Sequence, residues 1–72
     1  MKNKATVYNR IKAVLAEKGV SNLWLAENMN KNKATVSKWC TNETQPSIET
    51  LFEIANKLEI DVKDLLVSNK TN

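Results

Sequence analysis

The chain has no histidine, and one glycine, one proline and one cysteine among its 72 residues. Each scarcity removes a class of protein. Without histidine the commonest general base and the commonest metal ligand are missing. One glycine cannot build a glycine-rich phosphate loop. Hairpins and bulges consume glycine and proline, so an all-β chain is disfavoured and helices are expected. The lone thiol, Cys40, has no second cysteine for a disulfide or a shared metal, which points to a reducing, intracellular setting and a cytoplasmic localisation. No run approaches the roughly 20 apolar residues that span a bilayer. The opening MKNKATVYNR is basic but lacks the apolar stretch of a secretory signal. The eight Asp/Glu fall mainly on outward faces of the expected helices, with no clear inward pair. The expectation is a protein that is not an enzyme and has no catalytic residue, cofactor, metal or membrane partner.

What is present fits one folded domain over residues 1–72, with an ordered core from about 5 to 67. Hydrophobic residues make up 42% and charged residues 26%, too apolar for a disordered chain. The charge is unevenly spread. Residues 1–42 hold eight Lys/Arg and two Glu, a net +6, whereas residues 43–72 hold three Lys and six Asp/Glu, a net −3. A basic front on an acidic back suits nucleic acid, and an anionic membrane surface less well. In so short a chain chance could also produce it.

Periodicity and punctuation give five helices. The first covers Ala5–Lys18, where Val7, Ile11, Val14 and Leu15 draw an apolar stripe and Gly19 supplies a left-handed stop. Ser21 caps a second helix, Asn22–Met29, whose Leu25, Ala26 and Met29 face one way. Asn30 tolerates positive φ and can end that helix tightly, and Asn32 can cap a third over Lys33–Cys40. So short a connection makes the two helices cross steeply. After the polar loop TNETQ and Pro46, Ser47 caps a fourth helix, Ile48–Leu58, with Ile48, Leu51, Phe52, Ala55 and Leu58 as its expected buried face. Asp61 caps a short fifth helix with Val62, Leu65 and Leu66 inward, and Ser68–Asn72 forms a frayed tail.

The third helix has little to bury. At about 100° per residue, the apolar Trp39 and Cys40 lie within about 60° on either side of Val36, Lys33 sits at the N-terminal edge, and Ala34, Ser37, Lys38 and Thr41 occupy the opposite half. Such a face suits the DNA major groove, about 12 Å wide, where lysine donates to guanine, serine donates or accepts, and small methyls meet thymine. An ordinary solvated helix would show the same pattern, so the residues before it matter.

From about Arg10 to Leu66 the chain resembles the phage-repressor/Cro type of helix-turn-helix, the XRE family. Ala26 stands at the small contact position, Asn30 at the turn glycine and Val36 at the branched position of the recognition helix. Thr35–Trp39 matches T-[IV]-S-x-W, and Pro46–Leu51 matches P-S-x-x-T-L. Five positions depart from the pattern. Asn30 replaces glycine, Lys31 replaces an aliphatic residue, Leu23 and Trp24 replace polar ones, and Cys40 replaces a glutamate. Trp24 either packs or touches DNA or a partner. Cys40 is either a packed residue or a redox-sensing thiol.

The resemblance implies an all-α, compact five-helix repressor-like fold and sequence-specific binding of double-stranded DNA by a small bacterial or phage-type transcriptional regulator. Lys33, Ala34, Ser37 and Lys38 would face bases. Asn22, Lys31, Thr35, Thr41 and Asn42 would meet phosphates, although Thr35 could instead support its helix start. So small a protein needs two copies on half-sites about 34 Å apart, hence a homodimer at least on DNA. The alternative is a protein-interaction module, an antitoxin-like or adaptor protein with a protein partner.

Overall fold

The computed structural model describes residues 6–70. Four α-helices, α1 (Ile11–Lys18), α2 (Asn22–Met29), α3 (Lys33–Cys40) and α4 (Ile48–Leu58), precede a single 3-10 turn at Val62–Leu65. No strand forms among the described residues, and one isolated antiparallel bridge joins Asn9 to Leu66. No described helix is long and apolar enough to cross a membrane.

Local chemistry sets the helix ends. Ser21, Asn32 and Ser47 each accept a first-turn amide, from Trp24 at 3.0 Å, Ala34 at 2.7 Å and Thr50 at 3.1 Å. Gly19, at φ 73, closes α1 with the only residue type free of a Cβ there. Asn30 closes α2 at φ 57 and ψ 44, and the Lys31 amide donates back to the Ala26 carbonyl at 2.9 Å. That closure turns the chain sharply enough for α3 to start three residues later.

The core is shared by all these elements. Ile11, Val14 and Leu15 of α1 meet Leu25, Ala26 and Met29 of α2, Val36, Trp39 and Cys40 of α3, the inner face of α4 and Leu65. Ala26 is buried in the α2–α3 crossing, where a small side chain allows close approach. Trp24 is half-buried and packs against the same core.

Three expectations are corrected. The first helix begins at Ile11, not Ala5, which lies outside the described residues, and Val7 is 57% exposed. The reason is long-range. Arg10 donates to the Leu65 carbonyl at 2.8 Å, Val67 donates to that of Tyr8 at 2.9 Å, and the Asn9 side chain accepts from the Ile11 amide at 3.0 Å. Residues 8–10 thus spend their backbone on the C-terminal segment and on capping. The fifth helix is only the 3-10 turn, so the described residues form four α-helices. Asp61 caps that turn, accepting from Lys63 at 3.0 Å, but only Leu65 is buried and Leu66 is exposed. On α4, Leu51, Ile54, Ala55 and Leu58 face the core, leaving Ile48 65% and Phe52 53% exposed. At 100° per residue those two lie to one side of the arc centred on Leu51, Ile54, Ala55 and Leu58.

Candidate nucleic-acid interface

Val36, Trp39 and Cys40 form the seam that buries α3, and the rest of the helix is presented outward. Lys33, Ala34, Thr35 and Lys38 are exposed, and Ser37 is half-buried beside them. Among the described residues the ion pairs are Arg10–Glu17 and Lys63–Asp61, so Lys31, Lys33 and Lys38 have no acidic partner there. A solvated helix balanced by its own acids would look different. The opposite helix end is guarded by one carboxylate, since the Thr41 hydroxyl donates to the Lys38 carbonyl at 3.2 Å and lies 3.4 Å from Glu43 Oε2. Thr41 must turn from these to meet a phosphate.

The expected phosphate residues fall into two groups. Asn22, Lys31 and Thr35 lie at or near the starts of α2 and α3, where the first amides of each helix lack internal acceptors. Thr41 and Asn42 lie past the end of α3. Asn42, at φ 63, is turned inward: its Oδ1 accepts from the amides of Tyr8 at 2.9 Å and Asn9 at 3.0 Å and from Gln45 Nε2 at 3.1 Å, and its Nδ2 donates to the Asn9 carbonyl at 3.2 Å. The second Nδ2 hydrogen has no partner among the described residues.

Two residues that sequence reasoning missed complete this clasp. Asn9, a buried polar side chain only 3% exposed, donates through Nδ2 to the Trp39 carbonyl at 3.0 Å and to Gln45 Oε1 at 2.7 Å. Gln45 closes the ring. Together they fasten the last turn of α3 to the start of α1 and so fix where the outward face points. Asn9 carried a usable signal, a cap-type residue two positions before the apolar Ile11. Gln45 carried none.

Cys40 is buried, and its thiol donates to Asn22 Oδ1 at 3.3 Å. Burial pushes this thiol above its ordinary value, with Lys12 pulling weakly the other way. A thiol held protonated is a poor nucleophile, which favours the packed role over a redox sensor.

Residues 11–65 match a family model described as helix-turn-helix. Among solved structures the chain is similar to a candidate DNA-binding protein from Bacteroides fragilis, with 49% identity and a TM-score of 0.81 over 82% of this chain and 95% of that one. It is also similar to a transcriptional regulator from Listeria innocua, with 26% identity and a TM-score of 0.66 over 92% of this chain and 67% of that one. No curated protein matches.

Proposed function

The chain belongs to the XRE-type helix-turn-helix family, and from that premise we propose that its 72 residues form one domain that binds double-stranded DNA sequence-specifically as a small transcriptional regulator. The observation that carries this reading is the outer face of α3, slim, basic and without acidic partners among the described residues. α3 lies in the major groove with α2 across the backbone above it. Lys33, Ala34, Ser37 and Lys38 read base edges. Asn22, Lys31 and Thr35 hold one stretch of phosphates, and Thr41 and the remaining Asn42 hydrogen hold another. The protein works where its DNA is, in the cytoplasm, and as a binder rather than a catalyst.

Two copies occupy half-sites about 34 Å apart. The exposed Ile48 and Phe52 on α4 favour a protein contact on that side, which suits a homodimer. A toxin-like or other protein partner would use the same apolar side chains.

Replacing Lys38 with Ala separates base reading from charge alone. The expected loss is about 1–3 kcal/mol on the preferred duplex, with relaxed preference at one base pair. Equal losses on preferred and random duplex would overturn the base-reading role.

A further inference from the structure

Resting on the homodimer part of that reading, two exposed apolar surfaces of the chain prove complementary in charge. On α4, Ile48 and Phe52 stand one helical turn apart and form an outward ridge. Glu49 and Glu53, both exposed, lie along the side of this ridge away from the buried arc. Neither has an ion-pair partner among the described residues, and Lys57, the one basic residue of α4, forms no ion pair with them.

The other surface is an open groove of about 500 Å³ between α1 and the end of α3. Val7, Val67, Ala13 and Ala16 make it apolar, and its charged residues, Lys12 and Arg10, are both cations. The Arg10 guanidinium pairs with Glu17 at 3.3 Å, whereas Lys12 is exposed and has no ion-pair partner among the described residues. The groove is preformed. The Val67 amide donates to the Tyr8 carbonyl at 2.9 Å, and the Tyr8 amide donates to Asn42 Oδ1 at 2.9 Å, which holds Val7 and Val67 in place. A wall already ordered loses little entropy when it is covered.

Ridge and groove do not meet within one chain. α1 packs on α3 and the 3-10 turn, α4 packs on α2 and that turn, and no α4 residue lines the groove. Nor does the ridge suit its own image. A two-fold contact of α4 with α4 would set Glu49 and Glu53 against the same residues of the other copy, and like charges in an interface are costly. We propose that the groove receives α4 of a second copy. Ile48 and Phe52 cover Val7, Val67 and Ala13, and Glu49 and Glu53 face Lys12. Each copy gives one ridge and one groove, so a two-fold pair makes the contact twice and covers both apolar surfaces of both copies.

The test is sedimentation equilibrium of the intact chain without DNA, with circular dichroism to confirm folding. The altered residues are exposed, so their replacement leaves the core untouched. The wild type is expected to dimerise, and Phe52→Ser to weaken the dimer about tenfold or more. Lys12→Glu alone, and Glu49→Lys with Glu53→Lys in another chain, should each weaken it similarly, by about tenfold. An equimolar mixture of those two chains should dimerise again, because both contacts then pair opposite charges. A dimer lost with Phe52→Ser but indifferent to Lys12→Glu places α4 against another surface and overturns the groove as its seat. A mixture no tighter than its components overturns the charge pairing. A wild type monomeric at every concentration reached overturns the second copy as occupant. Duplex binding measured alongside keeps the two readings apart: a chain that dimerises as expected but ignores DNA sinks the DNA reading and leaves this contact standing.

Discussion

Asn30 and Asn42 both hold a left-handed backbone, at φ 57 and φ 63, and both end a helix of the motif, yet they hold that conformation by different means. Around Asn30 the bonds are main-chain and local, as its own amide donates to Glu27 at 3.3 Å and the Lys31 amide to Ala26 at 2.9 Å. Its side chain contributes little beyond tolerance of positive φ. At Asn42 the side chain is the structure: it gathers amides from residues more than thirty positions away and ties the N-terminal segment to the end of α3. One corner is a property of the local sequence. The other is a property of the fold.

The same substitution should therefore act in opposite directions at the two corners. Asn42→Gly keeps the backbone angle free but deletes the acceptor for Tyr8, Asn9 and Gln45. At about 0.5–1.5 kcal/mol per hydrogen bond, and more where an amide is left unpaired, a net destabilisation of roughly 1–3 kcal/mol is expected in urea unfolding. An unchanged midpoint would show that the clasp is ornamental and that the two corners are alike. Asn30→Gly removes only the Cβ strain of the left-handed region, offset by added freedom in the unfolded chain. A stabilisation between zero and about 1 kcal/mol is expected, and a clear loss would mean that the Asn30 side chain has an unrecognised partner.

The smallest effect concerns Cys40, which joins the two halves of the motif through Asn22. Its folded value is raised by burial, so the unfolded chain releases the thiol proton first. The stability this group contributes is complete below its unfolded value, near the ordinary 8.5, and fades as pH rises through the higher folded one. Unfolding midpoints from pH 7 to 10 should fall more steeply for the wild type than for Cys40→Ala. Parallel curves would place the thiol in a solvated environment.

The same contrast explains how much could be read from sequence. The α2–turn–α3 unit was readable because its signals are short-range: Ser21 and Asn32 as caps, Asn30 as a corner, Val36, Trp39 and Cys40 as one seam. The outward face of α3 followed from that seam. The start of α1 was not readable, because residues 8–10 bond to Asn42 and to Leu65 and Val67, far along the chain. Apolar periodicity through Val7 therefore extended the helix too far. On α4 composition misled, since Ile48 and Phe52 look like core but stand off the buried arc, while Ile54 fills it. Asp61 signalled a helix start correctly, but too few residues follow before Leu66 bridges to Asn9 for more than one 3-10 turn.

The most direct test of the outward α3 face is selection of duplex from a random pool by the wild-type chain, followed by a salt titration on the recovered site. The expected result is an enriched sequence with two related halves about one helical turn apart, and affinity that falls steeply with salt. A pool with no enriched sequence, or binding indifferent to salt, would contradict the proposal that Lys33, Ala34, Ser37 and Lys38 read DNA.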